Sequence, residues 1–149
     1  MSKQKTLLFF GAHPDDETFG IGSTLAKYAV AGFKVFYVCS TRGEVGTVDP
    51  EYMQGYATIA ELRSAEMKCA AQVLGLTDVF YLGYRDSGMM GSADNKHPQS
   101  LAMASLDEVA GRMVKFIRDI QPDVVITHDS GGAYGHPDHI ATHKAVDRF

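Results

Sequence analysis

Two short stretches of the sequence carry residue types that bind metal ions and move protons. The first stretch, 12–17, reads Ala-His-Pro-Asp-Asp-Glu and places one histidine beside two aspartates. The second stretch, 134–139, reads Tyr-Gly-His-Pro-Asp-His and places two histidines three positions apart. Imidazole and carboxylate groups at this spacing can bind one divalent cation and leave a spare carboxylate to act on water. The alternative for the first stretch is a helix cap beside a solvated histidine, but a cap needs only one acid.

The histidines and aspartates of the two stretches favour a catalytic zinc site, which has two imidazole ligands, one carboxylate ligand and an open position for water. We predict that His13, Asp16 and His139 are the ligands of a single zinc ion. Asp15 is then the general base that takes a proton from the water. His136 stabilises the oxyanion or protonates the leaving amine, and Tyr134 adds a hydrogen-bond donor. For the second stretch in isolation, one solvated or capping histidine remains an alternative.

Apolar runs precede both stretches and predict buried strands that end where the chemistry begins. Strand and helix patterns alternate four times, which predicts right-handed crossovers and a mostly parallel sheet. Ligands bind at the carboxyl ends of the strands in such sheets. We therefore predict a Rossmann-like α/β fold with three layers, α/β/α. The predicted strands are 6–11, 34–39, 79–82 and 123–127, and the predicted helices are 17–31, 57–74, 101–121 and one that begins near Pro137.

Composition and charge limit the classes of function. With 149 residues, 45% of them hydrophobic, the chain can bury a core and form one domain, 1–149. Its net charge is −4 with both signs interspersed, so we expect no nucleic-acid partner and no membrane partner. The apolar run near the N-terminus is too short to span a bilayer and lacks a signal-peptide pattern, which favours a cytoplasmic protein. Cys39 and Cys69 have no CxxC spacing and are predicted to be buried apolar residues.

Further polar residues lie in the loop after the second strand and on the predicted helices. Arg42 and Glu44 either contact a substrate or form an ion pair that holds their loop. Arg63 and Glu66 lie three positions apart on a predicted helix, where a solvated surface pair is the default. His143 is predicted to be a packing or surface histidine, because a helix that faces one metal seldom presents three ligands.

The two stretches together resemble the LmbE-like, or PIG-L, zinc-dependent de-N-acetylases. Thr41-Arg42-Gly43-Glu44 and Glu61-Leu62-Arg63 also fit this family, so the resemblance spans essentially the whole chain. Members of the family remove the acetyl group from N-acetylglucosaminyl conjugates. The stretch 83–88, Gly-Tyr-Arg-Asp-Ser-Gly, is similar to the branch that acts on mycothiol and its conjugates. The resemblance thus implies a zinc-dependent hydrolase with a small-molecule N-acetylglucosaminide as substrate.

The resemblance also implies roles for individual residues. Arg63 and Asp86 correspond to residues that bind sugar hydroxyls, which replaces the surface-pair interpretation of Arg63. The other implied residues are those that the donor set already favours: His13, Asp16 and His139 as zinc ligands, Asp15 as general base, and His136 with Tyr134 as the groups that steady the tetrahedral intermediate.

The length of the chain departs from the family pattern, and two other functions remain as alternatives. Relatives usually continue for many tens of residues, so we expect this chain to be truncated at its C-terminus relative to the family. An unfinished sheet edge favours association into a homo-oligomer. The first rival is a metal-dependent phosphoesterase with two metal ions, for which His128 and Asp129 are the available extra ligands. The second rival is a catalytically incomplete fragment that binds metal or sugar without turnover.

Overall fold

A four-stranded, all-parallel sheet organises the computed structural model, which describes residues 4–149. The strands follow the order β3-β2-β1-β4, so the first strand of the chain lies inside the sheet. The two inner strands have the predicted bounds, whereas β3 begins and ends one residue earlier and β4 is one residue shorter at each end. The strands are β1 (Thr6–Gly11), β2 (Lys34–Cys39), β3 (Asp78–Tyr81) and β4 (Val124–Ile126).

Helices cover both faces of the sheet, which confirms the predicted three-layer α/β/α fold. Leu7 and Phe9 of β1 pack with the first two helices, whereas Leu8 and Phe10 pack on the opposite face with the later ones. β1 is buried at every position, so its sequence is a continuous apolar run rather than an alternating one. The helical segments are α1 (Gly22–Val30), α2 (Ile59–Leu74), α3 (Leu106–Ile120), the single turn α4 (Gly132–Gly135) and α5 (Pro137–Val146).

The helix predicted at 17–31 is broken near its start. A π-helical turn covers Asp16–Gly20, and α1 begins only after Ile21, whose φ is −139°. The backbone N–H groups of Thr18 and Phe19 both donate to the Asp15 carbonyl, at 2.9 and 2.8 Å. The turn therefore closes around Asp15 instead of continuing into α1.

The helix predicted at 101–121 also begins later, as α3. Ser105 is extended, and its hydroxyl accepts the backbone N–H of Glu108 at 3.2 Å, which fixes the start of the helix. The residues 101–103 form a separate 3-10 turn. The predicted end of α2 is confirmed, because Gly75 follows it in the left-handed conformation with φ 73°.

The strands that carry the two stretches end at the same edge of the sheet. Gly11 of β1 pairs with Cys39 of β2, and Phe9 of β1 pairs with Ile126 of β4. The segments that follow β1, β2 and β4 therefore leave the sheet side by side. β4 is an outer strand of the sheet. The homo-oligomer that we expect to form through an unfinished sheet edge stays a prediction.

The two cysteines differ in exposure. Cys39 is buried in β2 as predicted, but Cys69 is exposed on α2, so that prediction was wrong for Cys69. Cys69 lies two positions after the buried Met67, about 200° around the helix, and so faces solvent. Within residues 4–149, no helix combines the length and the apolar character needed to cross a membrane.

Candidate metal centre

Asp16 anchors the loop that follows β1. Its Oδ2 accepts the backbone N–H groups of Ala12 and His13 at 2.8 and 2.9 Å. Tyr37 of β2 donates its hydroxyl to the His13 carbonyl at 2.7 Å. Gly11 allows this contact, because a Cβ at that position would lie 2.5 Å from the Tyr37 Oη. The backbone thus fixes His13 and Asp16 relative to the sheet.

Asp15 has a strained backbone conformation beside these residues. Its φ of 131° and ψ of −24° are rare for a residue with a Cβ, and such conformations cost about 1–3 kcal/mol and concentrate at functional sites. The Glu17 carboxylate accepts the Asp15 backbone N–H at 2.9 Å and stabilises the turn. Arg63 of α2 binds the Asp15 carboxylate at 2.7 Å and also donates to the Pro14 carbonyl. The side chain of Asp15 is therefore oriented by both a strained backbone and an ion pair.

The segment between β4 and α5 brings the second stretch to the same place. Its turn contains a second strained residue, Ala133, with φ 60° and ψ −82°. Pro137 then occupies the first turn of α5, and the His136 side chain caps that helix by accepting the Asp138 backbone N–H at 3.2 Å. The rings of His136 and His139 lie 5.1 Å apart, so the two histidines face one site.

The three predicted metal ligands lie together. His139 Nε2 is 3.2 Å from His13 Nδ1 and 3.2 Å from Asp16 Oδ1. Ligand atoms about 2.0 Å from a tetrahedral zinc ion lie about 3.3 Å from one another, so the observed spacing fits such an ion. His13 and His139 are buried, and the Asp16 side chain is 10% exposed. Two of the three distances between these ligand atoms thus suit one metal ion. Within residues 4–149, the groups of side chains close enough to hold a metal are His13 with His136 and His139, Asp16 with His128 and His139, and His13 with Asp86, His136 and Asp138. His139 belongs to the first two groups, so the predicted trio combines members of both and stays a prediction.

Asp138 determines which nitrogen of His13 is available to a metal. Asp138 is completely buried, and its Oδ2 lies 3.0 Å from His13 Nε2 and accepts the Ser87 backbone N–H at 3.0 Å. The Nε2–H of His13 therefore donates to Asp138, which leaves Nδ1 facing His139. Burial alone would lower the pKa of His13, but the hydrogen bonds to Asp138 and Asp86 and the charges of Asp16 and Asp86 raise it to about 10.

Burial and the neighbouring histidines act in opposite directions on Asp16. Burial raises the pKa of the carboxyl group, but hydrogen bonds from His128 and His139 outweigh it and hold the pKa well below its usual range. Asp16 is therefore an anion at neutral pH, as a metal ligand must be.

His136 and Tyr134 lie next to the three ligands. His136 is buried, and burial together with the charge of His13 lowers its pKa, which favours the neutral ring. Because its Nδ1 accepts the Asp138 N–H, the proton of the neutral ring is on Nε2. Tyr134 is 65% exposed, with its ring 5.3 Å from that of His139. The buried His136 and the exposed Tyr134 therefore lie at different depths of one site.

Arg63 and Asp86 contact different residues of the site. Arg63 contacts Asp15, as described above, while Asp86 Oδ1 lies 3.6 Å from His13 Nε2. Asp86 is buried and accepts the backbone N–H groups of Gly88 at 2.8 Å and Val45 at 3.3 Å. Burial opposes the charge of Asp86, but the hydrogen bond from His13 lowers its pKa.

Arg42 and Glu44 do not form the ion pair that was one of the two interpretations of their loop. The Arg42 guanidinium donates to Ser64 Oγ at 3.0 Å and stacks over the Tyr81 ring at 4.2 Å. Glu44 instead accepts the backbone N–H of Asp86 at 3.0 Å. Glu44 also accepts the backbone N–H of Arg42 at 3.3 Å, so it holds the loop after β3 together with its own.

Two residues of the cluster were not assigned to it from the sequence. Asp138 was unassigned although it belongs to the second stretch, and His128 was considered only as an extra phosphoesterase ligand. His128 Nε2 lies 3.2 Å from Asp16 Oδ2. Asp129, the other proposed extra ligand, is exposed and uses its oxygens to accept the backbone N–H groups of Gly131 and Ala133. Among residues 4–149, neither Asp129 nor Asp15 belongs to a group of side chains that could hold a metal.

Comparisons with known proteins agree with the geometry of the site. A 1D-myo-inositol 2-acetamido-2-deoxy-α-D-glucopyranoside deacetylase of Kineococcus radiotolerans is 40% identical, over 99% of this chain and 45% of its own length. A protein of the same name from Salinispora arenicola is 44% identical, over 97% of this chain and 50% of its own. The N,N'-diacetylchitobiose deacetylase structure from Pyrococcus horikoshii matches with a TM-score of 0.76 at 31% identity, over 97% of this chain and 48% of that one.

The chain spans about half the length of the curated relatives that it matches. Within the chain itself the agreement is nearly complete, because the family model described as GlcNAc-PI de-N-acetylase matches residues 8–149. That range contains all four strands except the first two residues of β1, together with both metal-ligand stretches. The chain therefore belongs to the PIG-L family.

Proposed function

We propose that the protein is a zinc-dependent hydrolase that removes the N-acetyl group from an N-acetylglucosamine-containing conjugate. The observation that carries the proposal is the position of His139 Nε2, at 3.2 Å from both His13 Nδ1 and Asp16 Oδ1. Zinc is the metal that suits a buried set of two imidazoles and one carboxylate with an open position. The deacetylases among the relatives support amide hydrolysis as the reaction.

The side chains around the ligands supply the remaining groups that the reaction needs. A bound zinc ion would supply a Lewis acid and lower the pKa of a water molecule. Asp15, held by Arg63, is the proton acceptor for that water. His136 donates its Nε2–H to the oxyanion or to the leaving amine, and Tyr134 adds a donor at the entrance. The roles of Asp15, His136 and Tyr134 are proposals that mutation can test separately.

The proposed substrate is a small glycoside whose sugar binds between Arg63 and Asp86. Two of the relatives are deacetylases of 1D-myo-inositol 2-acetamido-2-deoxy-α-D-glucopyranoside, which makes this compound the first to test. Charged side chains beside the metal ligands can hydrogen-bond sugar hydroxyls and orient the amide. Asp86 would do so with the carboxylate oxygen that its loop already holds in place.

Acetate release measured with zinc content on the same sample tests the proposal. The assay uses a panel of N-acetylglucosaminides that includes the inositol glycoside. We expect acetate with about one zinc ion per chain. In Asp15→Ala, we expect acetate release to fall by about 10²–10⁴-fold while zinc stays bound, which is the usual contribution of a general base. Asp119→Asn, an exposed acid on α3, is the control and should retain full activity.

Two other outcomes would change the assignment. Bound zinc without acetate release would favour a catalytically incomplete form, since the chain spans about half of its relatives. Two metal ions per chain with release of phosphate from a phosphoester would favour the rival phosphoesterase. The position of Asp129, away from every group that could hold a metal in the described part of the chain, gives that rival no second carboxylate.

A further inference from the structure

We propose that His128 is a positioning residue of the metal centre, which holds the ligand Asp16 in the orientation that a metal requires. The inference rests on the proposed metal site but not on the identity of the substrate. One residue, Thr127, separates His128 from the end of β4, and the His128 side chain is 11% exposed. Its Nε2 lies 3.2 Å from Asp16 Oδ2, across 112 positions of sequence.

The two oxygens of Asp16 have separate partners. Oδ2 receives the backbone N–H groups of Ala12 and His13 and, in addition, Nε2 of His128. Oδ1 faces His139 Nε2 and is the oxygen directed to the metal-ligand cluster. A hydrogen bond from His128 Nε2–H therefore stops the carboxylate from rotating and leaves Oδ1 for the metal. Partners of this kind around a metal site typically change metal affinity by 10–100-fold.

The ring of His128 also supports a second ligand. It stacks on the ring of His139 with centroids 4.0 Å apart and planes at 5°. On its other side, His128 meets the edge of Phe9 at 6.0 Å. One side chain thus contacts an oxygen of one ligand and the ring face of another, and both contacts restrict the motion of the metal ligands.

The backbone of His128 is itself fixed. Its carbonyl lies 2.8 Å from His143 Nδ1, and the preceding Thr127 donates its hydroxyl to the Phe10 carbonyl at 3.1 Å. Within residues 4–149, His143 belongs to none of the groups of side chains that could hold a metal. The imidazole of His128 is therefore held between the end of β4 and α5 and does not depend on a metal for its position.

A competing assignment makes His128 a ligand, because Asp16, His128 and His139 form one of the groups that could hold a metal in the described part of the chain. His139 is a member of this group and of the predicted trio, in which its Nε2 faces both His13 Nδ1 and Asp16 Oδ1. A single nitrogen lone pair binds one metal ion, so the two assignments exclude each other at any moment. The two backbone N–H groups that Asp16 Oδ2 accepts favour the positioning role, because a metal on that oxygen would displace them.

The test compares His128→Gln with His128→Met. Both new side chains lack the ring and are similar in length, but only glutamine has an N–H group that can donate to Asp16. Zinc affinity of the full chain is measured by competition with a chelator, and no substrate is needed. We expect His128→Met to bind zinc about 10–100-fold more weakly than His128→Gln. His128→Phe, which keeps a ring but has no donor, should resemble Met more than Gln. His97→Phe, in the loop before α3, is the control and should bind as the parent does.

The visible spectrum of the cobalt-substituted protein separates the two assignments. If His128 positions Asp16, the spectrum of bound cobalt keeps its shape in all variants, since no ligand is lost. A changed ligand-field spectrum in both His128→Gln and His128→Met would overturn the positioning role and make His128 a ligand. Equal zinc affinity of these two variants would also overturn it. Acetate release by the parent tests the proposed function independently of either result.

Discussion

The loop after β1 and the segment after β4 both deliver residues to the metal centre, but they hold them by different means. The first loop is held by backbone groups: Asp16 accepts two main-chain N–H groups, and Tyr37 holds the His13 carbonyl. The second segment is held by side chains, through the stacking of His128 on His139 and the buried Asp138. Substitutions in the first loop are poorly tolerated, because its contacts with main-chain groups also determine the path of the backbone. Side-chain contacts can be removed one at a time, which makes the second segment the place where metal affinity can be tuned.

The largest effect is expected from Asp16→Asn in the first loop. The amide oxygen would accept the backbone N–H groups of Ala12 and His13, so the NH₂ group would take the position of Oδ1 and face the metal. We expect zinc affinity to fall by more than about 100-fold, beyond the range of a surrounding residue. Isothermal titration calorimetry with zinc measures the affinity. Asp129→Asn, an exposed acid in the second segment, is the matched control, and an equal loss in both variants would contradict the difference between the two regions.

An intermediate effect is expected from Gly11→Ala, which tests the backbone control of the first loop. The new Cβ would lie 2.5 Å from Tyr37 Oη and 2.8 Å from its ring, so strand β1 or the tyrosine must move. We expect a loss of about 1–3 kcal/mol in the free energy of unfolding, as for other overpacked cores. Urea denaturation of the metal-free protein measures this.

Tyr37→Phe provides the control for the glycine substitution. It removes the hydroxyl that meets the added methyl group, so it should recover part of the stability lost in Gly11→Ala. The two substitutions are in contact, and their effects should therefore not add. If the two changes in the free energy of unfolding add, the loss in Gly11→Ala does not come from the contact of the new Cβ with Tyr37.

The same contrast explains how much of the molecule could be predicted from sequence. β1 was predicted with its observed bounds because a strand buried on both faces reads as a continuous apolar run. β2 was predicted because its β-branched and aromatic residues are typical of a buried strand. The metal-ligand trio was predicted because each stretch contains ligand-type residues in its own sequence. The break at Ile21 was missed, since it depends on the strained conformation of Asp15 rather than on a local stop signal.

The contributions of His128 and Asp138 depend on contacts that no local pattern encodes. Asp138 meets His13 across 125 positions, and His128 meets Asp16 across 112. One signal was available for His128, because it follows a strand that ends at the same sheet edge as β1. Its partner oxygen could only be identified once the register of β1 and β4 was known.

The smallest expected effect is on the number of protons released when zinc binds. It depends on how Asp138 of the second segment controls the pKa of His13 in the first loop. The pKa of His13 is raised to about 10 in the metal-free protein, against burial, by its hydrogen bonds and the surrounding carboxylates. At pH 8 the ring therefore still carries two protons, and a metal that binds Nδ1 must displace one of them. Zinc affinity should then rise with pH up to about 10, because the competing proton is lost.

Calorimetric titration with zinc at pH 8 in buffers of different ionisation enthalpy counts the protons released. The parent should release about one proton more than Asp138→Asn, in which the strongest partner that favours the charged ring is lost and the pKa of His13 falls. An ordinary histidine with a pKa of 6.5 would be almost fully deprotonated at pH 8 and would release almost none. Equal proton release by the two proteins would mean that the buried carboxylate of the second segment does not control the protonation of the first loop.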